Sequence, residues 1–389
     1  MNSPPRIALA VALYWSLPGP SRFTRELAHA LDSASTLVVR IDVSEITGIH
    51  YALREALTSA CPAPERIEFI DLDEGSHLES EVGHHFGRAT MTSMELANWE
   101  GLPRTTIVLS PRSSRPRERA RVYVREFMNE LHQAHVPGVR LVLVWHSSDD
   151  ALTPDAAQTI AFDGTLASDE MHAYVALRMI GQHGPGTTAL SRHLVTEFAG
   201  GDPMLAEELI RLPEAQLLLL PASLSQAAHG CAIAGSSALG STLADWHLSR
   251  AQGPSAMGAT KRLDSKYWRA CVRSLLPWLE ERRRPVIEKL RPALEDYLYP
   301  TKGVWKKQVP WGNKVIEVAI EDLEFNDVVA MANYGGDPFD PGGVTDQALL
   351  RICRHAKRVR DALAHLRPPL VADVESVIRE MDQSLSVTG

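Results

Sequence analysis

Short apolar runs separated by amphipathic stretches make up the first 165 residues of the chain. The runs are rich in Val, Ile and Leu and do not alternate with polar residues, which is typical of strands covered on both faces of a parallel sheet. The predicted strands are residues 7–14, 36–41, 67–72, 105–109, 139–145 and 157–162. Helical patterns between them, such as residues 116–135, complete the prediction of an α/β fold with a doubly wound parallel sheet.

From residue 166 onward the apolar positions repeat every three to four residues, which predicts helices. The predicted helices are residues 169–180, 187–199, 204–212, 265–299, 317–334, 345–366 and 369–384, with short helices and loops in the Ala-, Ser- and Gly-rich stretch 213–260. We therefore predict three parts: an α/β domain over 1–165, an all-α lid-like region over 166–260 and a C-terminal helical-bundle domain over 261–389.

Composition places the chain among soluble globular proteins, because 44% of its 389 residues are hydrophobic and 23% are charged. No apolar run approaches the roughly 20 residues that span a bilayer, and no cleavage site for a secretory signal follows Met1. Four cysteines without C-x2-C spacing predict neither a zinc site nor a disulfide framework. We expect a cytoplasmic protein with no metal, no cofactor and no membrane partner.

A basic segment, residues 261–314, contrasts with the net charge of −8 of the whole chain. It holds 14 Lys and Arg against six Asp and Glu, and it includes aromatic residues such as Trp268 and Trp305. Cations beside aromatic rings suit a nucleic-acid strand; the alternative is a long helix with a solvated charged face. The candidate nucleic-acid-binding residues are Arg282, Arg283, Arg284, Lys302, Lys306 and Lys307.

Candidate chemistry lies at the end of the predicted helix 345–366, where Arg360, Asp361 and His365 precede Pro368 and Pro369. An arginine, an acidic neighbour and a histidine before a proline stop resemble the R-x4-6-H motif of the HEPN family. Those are small helical domains that dimerise, and many of them are metal-independent RNases. The resemblance implies a homodimer through the C-terminal domain and RNA as the substrate.

Cleavage of RNA without a metal needs a group that transfers protons near neutral pH, which suits histidine. It also needs a cation for the phosphorane charge, which suits arginine. The resemblance therefore implies His365 as general acid/base, Arg360 as the stabilising cation and Asp361 as the residue that orients one of them. The alternative is structural: Arg360 and Asp361 form a surface ion pair, and His365 interacts with the C-terminal end of the helix dipole.

The layout of residues 1–165 resembles a P-loop NTPase of the AAA+/STAND type. In this resemblance residues 7–14 form the first strand, residues 16–24 occupy the place of the phosphate loop, and residues 105–110 form the Walker B strand. However, residues 17–24 contain one glycine and no lysine, and the strand 105–110 ends without the aspartate that holds Mg²⁺. The resemblance implies a degenerate domain that does not hydrolyse ATP and serves as a scaffold or as a surface for a protein partner.

Two main functions remain open from the sequence, beside a third, a nucleotide sensor that does not hydrolyse its ligand. The first is a regulatory or antiviral-defence protein whose HEPN-like domain cleaves RNA that is guided by the basic segment. The second is a non-enzymatic dimerising adaptor within a larger assembly. Substitution of His365 by alanine distinguishes them, because only the RNase has an activity to lose.

Overall fold

The structure is a computed structural model, and it describes most of the chain. The described residues are 5–33, 36–41, 48–60, 66–73, 75, 77–99, 105–111, 114–131, 139–145, 158–180, 188–233, 241–308, 314–333 and 338–386. Two compact units divide the chain. Unit 1 comprises Met1–Tyr174, Gly201–Leu205 and His229–Gly240, and unit 2 comprises Val175–Gly200, Ala206–Ala228 and Ser241–Gly389. The region 166–260 is thus shared between the two units.

Unit 1 is built on a parallel sheet. Within the described residues its strands are β1 (Thr36–Ile41), β2 (Arg66–Leu72), β3 (Thr105–Pro111), β4 (Val139–Trp145) and β5 (Gln158–Phe162). Their order is β2-β3-β4-β1-β5, and every neighbouring pair is parallel. β1 lies inside the sheet, with Val39 opposite Val144 of β4 and Ile160 of β5. The predicted α/β class with a parallel sheet is confirmed.

The helices of unit 1 fall into two groups by their contacts. Before β5 they are α1 (Pro5–Ser16), α2 (Pro18–Ser33), α3 (Ile49–Ala60), α4 (Leu78–His85), α5 (Ser93–Ala97) and α6 (Ser114–Leu131). α2 packs against α1, α3, β1 and β5, whereas α6 packs against α4, α5, β3 and β4. The core beneath α4–α6 includes Ile107, Val124, Phe127 and Leu141, which are all fully buried.

The prediction of a strand over residues 7–14 is wrong, because these residues belong to α1. Ala8, Ala10 and Ala12 occupy the run, and alanine has the highest helix propensity of all residues. Pro5 suits the first position of a helix. An apolar run of this length does not by itself distinguish a buried strand from a buried helix. The first strand of the chain is therefore β1, which the sequence predicts as the second.

The part of the chain after β5 is mainly helical. Its helices are α7 (Ser168–Arg178), α8 (Thr188–Ala199), α9 (Pro203–Ile210), α10 (Glu214–Leu218), α11 (Leu224–Ile233), α12 (Ser241–Ser249), α13 (Pro254–Leu298), α14 (Phe325–Asn333), α15 (Val344–Ala364) and α16 (Val371–Ser386). The predicted helices that correspond to α7, α8, α9, α15 and α16 are confirmed. Among the helices that the structure describes, none has both the length and the apolar character to cross a membrane.

The long helix α13 organises unit 2, because α8, α12, α15 and α16 all contact it. It has 45 residues and continues through Pro277, Pro285 and Pro292. All three prolines are exposed, so the carbonyl groups that lose their intrahelical donor can bind water instead. The helix begins at Pro254, after Gly253 with φ of +103°, which is earlier than the predicted start at residue 265.

A β-hairpin follows α13, where the sequence predicts a loop and then a helix over 317–334. β6 (Val304–Gln308) and β7 (Val315–Ala319) pair in antiparallel fashion. The first part of the predicted helix is therefore wrong, and α14 begins only at Phe325. Val315, Ile316 and Val318 are β-branched residues, which favour a strand.

Candidate functional site

Arg360 is held between two carboxylates of unit 2. Its Nη2 lies 3.4 Å from Oε1 of Glu280 on α13, and its Nη1 donates a hydrogen bond of 3.3 Å to Oε2 of Glu324, just before α14. Arg283 reinforces this junction, since its Nε lies 3.1 Å from Glu280 Oε2 and its Nη1 donates to the carbonyl of Leu323 at 2.9 Å. The guanidinium of Arg360 thus joins α13, α14 and α15, and its charge is balanced within the chain.

The two other residues of the predicted catalytic set lie apart from this junction. Asp361 accepts a hydrogen bond of 2.5 Å from Lys357 Nζ, one turn earlier on α15. His365 is the C-cap residue of α15 and is exposed to solvent. Arg360 and His365 are five positions apart, which corresponds to about 140° around a helix. Within the described part of the chain their side chains do not touch, so the structure does not bring the set together.

The two other candidate nucleic-acid-binding arginines of α13, Arg282 and Arg284, differ in their surroundings. Arg282 lies over the ring of Trp278, with 4.3 Å between the guanidinium carbon and the ring centroid. Its Nη2 lies 3.8 Å from Asp382 Oδ1 on α16. Arg284 is exposed on α13. Arg282 is therefore partly engaged by the helical unit, whereas Arg284 extends into solvent.

The three candidate lysines differ in what they contact. Lys302 has a left-handed backbone, with φ of +58°, directly after the turn that ends α13. Lys306 Nζ lies 3.7 Å from Glu317 Oε1 across the hairpin, and both side chains are mostly exposed. Lys307 Nζ lies 2.7 Å from Oδ1 of Asp327, whose side chain is only 2% exposed. Lys307 is therefore the counter-charge of a buried carboxylate.

Asp327 also satisfies the backbone at the start of α14. Its Oδ2 accepts a 3.0 Å hydrogen bond from the backbone N–H of Glu324, one of the donors that lack a partner at a helix N-terminus. The negative charge also suits the positive end of the helix dipole. The hairpin is thereby fastened to α14 through the pair formed by Lys307 and Asp327.

A cluster around Glu197 was not predicted from the sequence. This side chain on α8 is 9% exposed and accepts hydrogen bonds from Arg269 Nε at 2.8 Å and Arg273 Nη1 at 2.5 Å, both on α13. Lys266 Nζ donates to the backbone carbonyl of Glu197 at 3.0 Å, and burial followed by the nearby Arg269 lowers the pKa of Lys266. The i, i+4 spacing of the two arginines was the available signal, because it puts both on one face of a helix.

A second cluster, which was also not predicted from the sequence, joins α15 to α16. Arg358 Nε donates to Oδ1 of Asp373 at 2.8 Å, and His355 Nδ1 lies 3.0 Å from the same oxygen. Asp373 lies in the first turn of α16, where a negative charge is favoured by the helix dipole. The cluster therefore contributes to the packing of α15 on α16.

In unit 1 the segment predicted to be the phosphate loop, residues 16–24, instead comprises the last residue of α1, a bend at Leu17 and the first turns of α2. The backbone N–H of Gly19 donates to Oε1 of Glu170 on α7 at 2.5 Å, and the ring of Phe23 stacks on Phe162 at 4.5 Å between centroids. The hydroxyl of Tyr14 donates to the carbonyl of Gly164 at 2.8 Å, and burial raises the pKa of that hydroxyl. A carboxylate of the chain itself thus occupies the N-terminal end of α2.

The connection from β1 to α3 is where a strand, a loop and a helix follow one another in the order that a phosphate loop requires. Residues 42–47 of this connection lie outside the described residues, but residues 42–48 contain no lysine and only one glycine. That glycine, Gly48, has φ of +80°. A Cβ at this position would clash with Val11 and would lie 3.2 Å from Trp15 Nε1. Side chains of α1 therefore pack against the start of α3.

Comparisons with known proteins give little further information. No protein-family model matches the chain, and no curated protein sequence matches it. Among solved structures, RIF2 of Saccharomyces cerevisiae is similar with a TM-score of 0.36 and 11% sequence identity, over 57% of this chain and 91% of that chain. Neither a fold nor a function is taken from a likeness of this size. Among the described residues, no three His, Cys, Asp or Glu side chains converge as they would at a metal site.

Proposed function

We propose that the chain is a non-enzymatic adaptor, in which a degenerate P-loop NTPase-like unit and a HEPN-like helical unit act by binding partners. The observation that carries this proposal is the position of Arg360 between Glu280 and Glu324. An arginine that stabilises a phosphorane must be available to the phosphate, whereas this guanidinium already balances two carboxylates of its own unit.

The NTPase-like part of the proposal is supported by the order of the strands. β1 lies between β4 and β5, and the helices of unit 1 contact the sheet in two groups, as in a doubly wound fold. In such folds a ligand binds beyond the carboxyl ends of the strands, here at the connection from β1 to α3. That connection lacks the lysine and the glycine spacing of a phosphate loop. Packing of Val11 and Trp15 on Gly48 is consistent with a scaffold that does not turn over nucleotide.

A metal-independent RNase is the second candidate function, and one observation favours it. Asp361 and His365 are both exposed, so they could reach a second subunit if the helical units pair as the HEPN resemblance implies. In that case Arg360 would have to break its contacts with Glu280 and Glu324 in order to bind the phosphate. The adaptor proposal does not require this rearrangement.

Incubation of labelled tRNA and total RNA with the purified chain in EDTA separates the two functions. We expect the wild type, His365→Ala and Arg360→Ala all to leave the RNA intact on a denaturing gel. Cleavage by the wild type that is lost in His365→Ala would refute the adaptor proposal and assign the RNase. Far-ultraviolet circular dichroism of each variant serves as the control for folding.

The structural role of Arg360 makes a separate prediction. Arg360→Ala is expected to lower the stability of unit 2 by about 1 kcal/mol, a modest value because both carboxylates are about half exposed. Urea unfolding measures the change. Arg351→Ala is the matched control on the same helix, since Arg351 is exposed and pairs with no carboxylate among the described residues. Equal stability of the two variants would contradict the structural role.

A further inference from the structure

Four cations lie on one face of α13. Arg262, Lys266, Arg269 and Arg273 are separated by four, three and four positions, and at 100° per residue they fall within a sector of about 60°. Both α8 and α12 contact α13, so the carboxylates of these two helices determine how much of the positive charge is balanced.

The first of the four cations is neutralised within unit 2. Arg262 Nη2 and Nε donate to Oδ1 of Asp245 on α12 at 2.6 and 2.8 Å. Asp264 is two positions from Arg262 in the chain and therefore lies on the other side of α13. Arg262 and Asp245 thus add no net charge to this face.

The other three cations, Lys266, Arg269 and Arg273, converge on one carboxylate; we call them the cationic cluster. Arg269 Nε and Arg273 Nη1 each donate to one oxygen of Glu197, at 2.8 and 2.5 Å, and Lys266 Nζ donates to the backbone carbonyl of Glu197 at 3.0 Å. Three positive charges beside one negative charge leave a local net charge of +2. In keeping with this imbalance, burial lowers the pKa of Lys266, and repulsion from Arg269 lowers it further against the attraction of Glu197.

The two arginines of the cationic cluster keep donors for a ligand. Arg269 uses Nε for Glu197 and Nη1 for Ser265 Oγ at 3.0 Å, and Arg273 uses Nη1 for Glu197. Among the residues that the structure describes, Arg269 Nη2 and Arg273 Nε and Nη2 have no acceptor. Glu197 is 9% exposed, whereas Arg269 is 41% and Arg273 is 50% exposed. The buried carboxylate therefore holds two guanidinium groups whose remaining N–H groups are accessible from solvent.

We propose that the cationic cluster is a binding site for a phosphate dianion, in which Glu197 positions the two arginines. A phosphomonoester carries close to two negative charges at neutral pH, which matches the local net charge of +2. Guanidinium groups bind phosphate oxygens through paired hydrogen bonds. A phosphorylated side chain of a partner protein suits the adaptor function, and this choice of source rests on that function; the site itself does not.

Other anions fit the cationic cluster less well. A carboxylate supplies one negative charge, and so does each phosphodiester of a nucleic acid. Binding of a nucleic-acid strand also favours aromatic rings on which bases stack. Trp268 is next to Arg269 in the chain, but its Nε1 donates to the carbonyl of Leu363 on α15 at 2.9 Å, and Tyr267 is buried. A compact dianion therefore fits better than an extended strand.

Isothermal titration calorimetry of the full chain at fixed ionic strength tests the proposal. The probes are a short glycine-rich peptide with one phosphoserine, the same peptide with glutamate at that position, and inorganic phosphate. We expect the phosphoserine peptide to bind about ten-fold more tightly than the glutamate peptide, because it offers a second charge and more acceptor oxygens. Tighter binding of the phosphoserine peptide than of inorganic phosphate supports a phosphorylated partner. Equal affinities support the site and assign it to free phosphate instead.

Three variants locate the binding. Arg273→Gln should weaken the phosphoserine peptide about ten-fold, and Arg273→Lys should recover part of the loss, because it restores the charge without the planar fork. Arg284→Gln is the matched control: Arg284 is exposed on the same helix, roughly 16 Å further along it, and its removal changes the net charge equally. The affinity of Arg284→Gln should stay within about two-fold of the wild type.

Several outcomes would overturn the proposal. They are the absence of binding by both phosphate probes, equal binding of the phosphoserine and glutamate peptides, and an Arg273→Gln protein that is folded by circular dichroism and binds like the wild type. An equal loss in Arg284→Gln would show that only the overall charge matters. A single-stranded RNA that displaces the phosphoserine peptide and binds more tightly would assign the site to nucleic acid. The gel assay of RNA cleavage is independent of these titrations, so the adaptor function can survive the loss of this inference.

Discussion

Replacement of Lys307 by methionine is expected to destabilise unit 2 by about 3 kcal/mol, because it leaves the buried carboxylate of Asp327 without its counter-charge. The Asp327 side chain is 2% exposed, and Lys307 Nζ lies 2.7 Å from it. Methionine keeps the length and apolar stem of lysine, so the change isolates the ammonium group. Urea unfolding, together with hydrogen exchange of α14, measures the effect.

Two further variants decide the cause of that loss. In the double variant Lys307→Met with Asp327→Asn, the amide still accepts the Glu324 N–H but needs no counter-charge, so at least half of the loss should be recovered. Lys306→Met is the matched control: its pair with Glu317 is mostly exposed, and the expected change is below about 1 kcal/mol. Equal effects of Lys306→Met and Lys307→Met would show that the buried pair does not hold the hairpin to α14.

Glu197→Ala is expected to cost about 2 kcal/mol, because it leaves Arg269 and Arg273 one turn apart with no carboxylate between them. The nearby ammonium of Lys266 adds to the repulsion. The expected loss of stability is smaller than for Lys307→Met because Arg269 is 41% exposed and Arg273 is 50% exposed, so both side chains can turn into solvent. The loss should appear as faster hydrogen exchange in α8.

The control for Glu197 is Glu281→Ala, which removes a carboxylate that is 75% exposed and 3.9 Å from Arg282. Its expected effect is within about 0.5 kcal/mol. High salt provides a second check, because it screens the repulsion between the arginines and should return part of the lost stability to Glu197→Ala. A Glu197→Ala protein as stable as the wild type would mean that α8 is held to α13 by apolar contacts alone.

The secondary structure could be predicted where residue type and pattern agree. Residues 36–41 and 139–145 were predicted as strands and are β1 and β4, because Val and Leu runs of this length favour buried strands. Residues 7–14 are equally apolar, yet their alanines form α1. Periodicity could not settle that choice, since a fully apolar run has no polar face to reveal its period. The hairpin of β6 and β7 was not predicted because the β-branched run of β7 is short, contains the polar Glu317 and is soon followed by the helix α14.

The sequence indicated which residues form the candidate site and where on the helix they lie, but it did not indicate which side chains surround them. Arg360, Asp361 and His365 do lie at the end of a helix, as the proline stop indicated. The partner Glu324 is 36 positions from Arg360 in the chain, and Glu280 comes from another helix. Such pairings depend on how α13, α14 and α15 pack, which local sequence does not encode. The same reason explains why Lys307 looked like a free cation of the basic segment.

The packing of four helices of unit 2 against α13 has a consequence for biosynthesis. Helix α13 contacts α8 and α12, which precede it in the chain, and α15 and α16, which follow it. A nascent chain that has just completed α13 therefore exposes apolar surface such as Val286, Ile287 and Leu290, all of which the folded unit buries. Translation pauses before α15 has emerged would prolong that exposure, and transiently exposed apolar surface makes an incomplete chain prone to aggregation.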